Sequence, residues 1–201
     1  MTMPRRTHHI AVAAMLSAIA FILQFMEFSI PLIPSFVKLD VSDLPALLGT
    51  FSLGPAYGVV IQLVKNILHL PFGNSAGVGE LSNFLLGAVF VFVAGLFYRR
   101  RKTRRRAFFG ALAGAAVMAA VSLPVNYYLV YPAYVTVFSL PLDAIIGAYE
   151  AILPSAAHIP TQNALLNCLL VFNVPFTLGK GMLDVGLCFL IYKPLSPLLH
   201  R

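Results

Sequence analysis

The sequence predicts an all-α integral membrane protein of six transmembrane helices. Its N- and C-termini are expected to be cytoplasmic, with a re-entrant outer loop between helices 1 and 2. Three observations carry this expectation. The first is composition: 59% of the 201 residues are hydrophobic and only 10% are charged, where a soluble domain carries about 25%. Most of the surface therefore does not meet water. The second is the basic run Arg99-Arg100-Arg101-Lys102-Thr103-Arg104-Arg105-Arg106, wedged between the apolar stretches 81–98 and 107–121. A nucleic-acid patch would not have such flanks, whereas a cytoplasmic loop between two membrane segments would. The third is the sorting of charge. Eleven of the fourteen basic residues are Arg5, Arg6, the 99–106 run, Lys193 and Arg201, and none of the seven acids falls in these clusters. Strand-like alternation of the kind an outer-membrane barrel needs is absent.

The helices are expected at about 9–28, 44–53, 56–70, 78–98, 107–131 and 172–194, in a single membrane domain covering 1–201. Arg5-Arg6 followed by an apolar run resembles a signal peptide, but no convincing cleavage site follows, so the first helix is expected to be retained. That helix carries Ala14 and Ala18 four residues apart, small side chains that allow another helix to approach closely. The segment after it has Pro31 and Pro34 with Lys38, Asp40 and Asp43, which rules out a spanning helix. It also has Ile30, Leu32, Ile33, Phe36, Val37 and Leu39, which a loop folded against the bundle would need. Ser42 or Asp43 is expected to cap the next helix, with Pro45 in its first turn.

Parity decides the stretch 44–70. The N-terminus and the 99–106 run lie on one side, so an even number of spans must separate them. Splitting the stretch at Gly54-Pro55 gives four, at the cost of one segment only about 15 Å long. Between 132 and 172, Pro132, Pro141, Pro154 and Pro160 predict mostly extramembrane chain, with a short interfacial helix over 143–153. The last helix is expected to keep Pro175 in its first turn and to end at Pro194, on the side of Lys193 and Arg201.

This topology gathers polar residues toward the outer half: Asp40, Asp43, Asn66, His69, Glu80, Asn83, Asn126 and Lys180, with Asp184 deeper. Ionisable groups inside a bilayer default to function. Their convergence from separate helices predicts one outward-facing cavity, with Gly179 and Gly181 leaving room beside Lys180 for a flat ligand. Carboxamides, one ammonium and carboxylates among aromatic side chains such as Tyr127 and Tyr128 suit a heteroaromatic, hydrogen-bonding small molecule. Several chemistries lack their residues. Gly179-Lys180-Gly181 is no phosphate-binding loop, and no zinc-binding His-Glu-x-x-His is present. Active transport would therefore need separate ATPases. Cys168 and Cys188 read as buried thiols, and the two halves show no internal repeat.

Several stretches together resemble the riboflavin-specific substrate-binding S components of energy-coupling-factor (ECF) transporters. They are Lys38-Leu39-Asp40-Val-Ser-Asp43-Leu-Pro45, Val64-Lys65-Asn66-Ile-Leu-His69, Gly79-Glu80-Leu-Ser-Asn83-Phe, Leu123-Pro-Val-Asn126-Tyr127 and Pro175-Phe-Thr177-Leu-Gly-Lys180-Gly181. The resemblance implies riboflavin uptake across a prokaryotic plasma membrane. It also implies a transmembrane scaffold subunit docked on the face of Ala14 and Ala18, two cytoplasmic ATPase subunits, and no cofactor beyond the transported flavin. By the same resemblance Asn126 and Lys180 bind the isoalloxazine, Lys38–Asp43 is a lid, and Glu80 and Asn83 belong to the site. Thr177 stands where the family commonly has Asn, so FMN or another flavin stays open as the ligand. A membrane enzyme or assembly protein is the alternative of a different class.

Overall fold

The computed structural model describes residues 5–31, 33–34, 37–154 and 163–199, with side chains for 6–191 of these. Among them the chain is almost wholly helical. Helix α1 covers Arg5–Gln24, α2 Asp43–Leu53, α3 Pro55–His69, α4 Val78–Arg100 and α5 Arg104–Val125. Then come α6 over Tyr131–Val137, α7 over Leu142–Glu150, α8 over Ala164–Cys168 and α9 over Val174–Leu199. A two-residue ladder, β1 Phe28–Ser29 with β2 Lys38–Leu39, folds the segment after α1 back on itself, with Phe28 opposite Leu39. The sequence reading expected this loop to fold against the bundle, and the ladder folds it back on itself. Leu32 and Phe36 lie outside the described residues, as do His158, Pro160, Arg201 and the side chain of Lys193.

Among the described residues four stretches are long and apolar enough to cross a membrane: Arg6–Gln24, Val78–Arg100, Arg104–Val137 and Ala164–Ile191. The two longest correct the sequence reading. Pro132 does not end the fifth helix. A π-helical turn over Asn126–Val130 joins α5 to α6 in one column, with the Tyr131 amide donating to the Asn126 carbonyl five residues back. The wider turn shifts the hydrogen-bond register, so Pro132 falls in the first turn of a new α segment, where its missing N–H costs nothing. A second π turn, Leu169–Asn173, does the same ahead of Pro175 and joins α8 to α9. Residues 132–137 and 164–172 therefore extend the two long columns rather than lying apart from them. The short helix expected over 143–153 is α7, and α9 runs past Pro194 to Leu199.

The break at Gly54 is a hairpin. Gly54 has φ +114°, which a residue with a side chain rarely adopts. Beyond it α2 and α3 lie antiparallel in close contact. A Cβ on Gly58 would sit 1.8 Å from the Thr50 Oγ1 and 3.1 Å from the Ala46 carbonyl. The two helices are short, 11 and 15 residues. They fill the centre: Ala46, Leu47 and Ile61 have 0% exposure and pack with Leu16, Phe90, Ala111 and Val185 from four other helices. A smaller apolar cluster of Tyr131, Ile145, Tyr149, Cys168 and Leu169 seats α7 against the long columns. Cys168 and Cys188 are both buried and unbridged.

Candidate functional site

The fold places a polar layer at the end of the bundle opposite the basic loop. Helix α2 begins there at Asp43, α3 ends there at His69, and α4 begins there with Glu80 and Asn83. The column of the second π turn and α9 presents Asn173, Thr177, Lys180 and Asp184, spaced at four, three and four residues, as one polar stripe.

Two buried lysines tie this layer together. Lys65, with no exposed side-chain surface, donates to the Asp43 Oδ1 and to the Ser42 Oγ, each at 2.6 Å. The Gln62 Nε2 donates to the same Asp43 oxygen at 2.9 Å. Lys180 donates to the Asp40 Oδ2 at 2.8 Å and lies 3.4 Å from the Asp43 Oδ2. Asp40 also accepts from the Ser42 amide at 2.9 Å and from the Ser42 hydroxyl. Burial would raise the pKa of Asp40, but the ammonium groups of Lys180 and Lys65 outweigh it and hold the carboxyl below its ordinary value. The loop ahead of α2 is thus fastened to α9 by a charge-assisted bond between residues 140 positions apart. Ser42 occupies the N-cap position without capping, because its hydroxyl serves Asp40 and Lys65 instead.

Two cavities adjoin the layer. The larger, about 550 Å³, lies among Lys38, Asp40, Glu80, Asn83, Tyr134 and α7. The smaller, about 160 Å³, reaches between the long helices to Asn126, Asn173, Thr177 and Lys180. Lys38, Gly79, Asn83 and Tyr134 line both, so the two adjoin. Glu80 is held by His69 Nδ1 at 3.0 Å and by the Ser75 hydroxyl at 2.6 Å. Lys38 pairs with Glu27 at the rim.

Of the ten residues expected to bind the ligand, eight line these cavities: Lys38, Asp40, Asp43, Glu80, Asn83, Asn126, Thr177 and Lys180. Two do not. Leu39 is buried in the ladder opposite Phe28. Tyr127 packs in the smaller apolar cluster, and its hydroxyl accepts from the Asn163 Nδ2 at 2.7 Å. Gly181 makes no room for a ligand, since a Cβ there would lie 2.7 Å from the Ala115 Cβ. Its role is close contact between α9 and α5. Gly179 has open space beside it. Ala14 and Ala18 are exposed on α1, away from the cavities.

The sequence reading missed Asn173, Tyr131 and Tyr134. Asn173 accepts from the Tyr149 hydroxyl at 2.7 Å and donates to Tyr131 at 3.3 Å, and the two tyrosine hydroxyls bond to each other. Burial, reinforced by the neighbouring Tyr131, pushes the Tyr149 phenol well above its ordinary pKa, so it stays a donor. The spacing of 173, 177 and 180 on one helical face was the available signal. Two of the three asparagines at the smaller cavity, Asn126 and Asn173, belong to π turns, which recur at functional sites.

Comparison with known proteins shows the family to which the chain belongs. The family described as "ECF transporter, substrate-specific component" matches residues 8–192. The riboflavin transporter RibU of Staphylococcus aureus (strain TCH60) is 33% identical over 94% of this chain and 90% of its own length. The riboflavin transporter FmnP of Bacillus subtilis (strain 168) is 27% identical over 96% of this chain and 94% of its own. A solved structure of the S component of a bacterial ECF transporter superimposes with a TM-score of 0.74 at 30% identity, covering 98% of this chain and 99% of that one.

Proposed function

Because the chain belongs to the family of ECF transporter substrate-specific components, we propose that it binds riboflavin and serves its uptake. The observation that carries this reading is the set Asn83, Asn126, Thr177 and Lys180, drawn from three helices, facing one cavity beneath a loop pinned by Asp40. Kinship with two riboflavin transporters supports it.

The chemistry suits a flavin. Its imide edge alternates acceptors and a donor, which a carboxamide such as Asn126 can match from both its oxygen and its nitrogen. Lys180 has three N–H donors; Asp40 and Asp43 take two, and the third serves a ring acceptor. The Thr177 hydroxyl and the Asn173 carboxamide extend the same face. Carboxylates at Asp40, Glu27 and Glu80 around the larger cavity accept from ribityl hydroxyls. Those carboxylates, with Lys38 already paired to Glu27, disfavour a phosphate, so riboflavin is preferred over FMN. Lys38, Asp40 and Asp43 act through the loop that covers the ligand.

In the membrane the chain makes six passes as a single domain, with α2 and α3 as the two short ones. Both termini and the basic loop are cytoplasmic by the charge rule, and the cavity faces outward. The protein resides in a prokaryotic plasma membrane. It works with a transmembrane scaffold docked on the exposed face of Ala14 and Ala18, and with two ATPase subunits that supply the energy it cannot derive itself. The test is uptake. A riboflavin auxotroph lacking its own transporter should grow on low riboflavin when this chain is co-expressed with an ECF scaffold and its ATPases. Growth that never exceeds the scaffold-and-ATPase control would overturn the assignment.

A further inference from the structure

The basic end of the bundle holds a groove of about 820 Å³ between the end of α4 and the start of α5, lined by Leu96, Phe97, Arg99, Arg100, Arg106 and Phe109. It lies at the far end from the flavin cavities and shares no residue with them. Its composition is two-part. Three guanidinium groups, two from one helix and one from the next, stand at its outer end. Below them run the half-exposed side chains of Leu96, Phe97 and Phe109, at 44%, 50% and 54% exposure. Phe92, at 46%, continues the apolar strip along α4.

Charge is what is missing here. Among the described residues none of Arg99, Arg100 and Arg106 is in an ion pair, and the other basic residues of the run stand beside them. Unneutralised arginines over an apolar strip call for an anion that carries its own hydrocarbon. Guanidinium forks suit phosphate oxygens in bidentate pairs. The apolar strip gives a soluble phosphate nothing to hold, and it gives acyl chains a surface to lie along.

We propose that this groove binds one anionic diacyl phospholipid, its phosphate held by Arg99, Arg100 and Arg106 and its chains lying against Leu96, Phe97 and Phe109. The site does not depend on the flavin reading; it requires only that the chain lie in a bilayer. It makes the α4–α5 turn more than a general topological signal, because a bound lipid would fasten this end of the bundle to one leaflet.

The experiment is native mass spectrometry of the full chain released from detergent, titrated with phosphatidylglycerol and with phosphatidylcholine. The wild type should retain one phosphatidylglycerol with about tenfold or greater preference, from roughly one favourable increment per basic side chain. Arg99→Gln, Arg100→Gln and Arg106→Gln combined should abolish that preference. The combination Arg101→Gln, Arg104→Gln and Arg105→Gln removes equal charge outside the groove lining and should keep it. All six side chains are exposed, and unchanged thermal unfolding in both triple variants would verify their fold. Glycerol phosphate in excess should not compete. Equal loss in the two triple variants would reduce the site to diffuse charge and overturn the proposal. Competition by glycerol phosphate would make it a free-anion site, and absence of any lipid preference would remove it. An interface for an acidic protein would show as lipid-independent capture that the first triple variant alone destroys.

Discussion

Replacing Lys180 by Met removes the cation that joins the loop ahead of α2 to α9. Its Nζ lies 2.8 Å from Asp40 and 3.4 Å from Asp43. With it gone, Asp40, Asp43 and Asp184 remain against Lys65 alone, all of them buried. Two losses follow. The ligand loses a hydrogen bond to a charged donor, about 1.5–3 kcal/mol, and the loop loses its anchor. Together these predict riboflavin affinity lower by about ten- to several-hundred-fold, at 1.4 kcal/mol per tenfold. Asp40→Asn removes the same anchor from the loop side while leaving Lys180 to face the ligand. If one bond holds the loop, the two changes overlap, and the double variant should bind riboflavin better than the sum of the singles by about 1–2 kcal/mol. Flavin fluorescence quenching in detergent gives the four dissociation constants. Effects that add to within about 0.5 kcal/mol would refute the idea that the Asp40–Lys180 bond fixes the loop over the ligand.

Other perturbations reach different parts of the molecule. Lys65→Met strands Asp43 with Gln62 and the more distant Lys180, and should lower stability by about 3–5 kcal/mol, read as earlier thermal unfolding in detergent. Gly58→Val drives a Cβ into Thr50 and should destabilise by at least about 1–3 kcal/mol through separation of α2 and α3; an unchanged melting curve would contradict the close contact. Ala14→Trp should abolish co-purification with the scaffold while riboflavin binding stays intact, since Ala14 is exposed and far from the cavities.

The parts legible in the sequence were those set by charge and by strong local breaks. Gly54-Pro55 was legible as a helix break, and α2, α3 and α4 begin and end within about two residues of their expected limits. The polar residues at 40, 43, 80, 83, 126, 177 and 180 line the two adjoining cavities, Asp40 from the loop ahead of α2 and the others from helical segments. The prolines misled. Pro132 and Pro175 reside in long columns because π turns ahead of them absorb the register change, and no local propensity announces a π turn. Reading 132–172 as mostly extramembrane chain hid Tyr134, while Tyr131 and Asn173 stood at the ends of expected helices and were passed over. Tyr127, next to Asn126 in the first π turn, packs in the smaller apolar cluster instead.

Titration of the purified chain with riboflavin and with FMN, followed by flavin fluorescence quenching, tests the flavin site most directly. Saturation at one riboflavin per chain is expected, with FMN weaker by about tenfold or more and Asn126→Ala weakened by about 1–3 kcal/mol. Riboflavin that fails to saturate the wild-type chain, or that binds wild type and the Asn126 and Lys180 variants alike, would contradict a flavin site in this cavity.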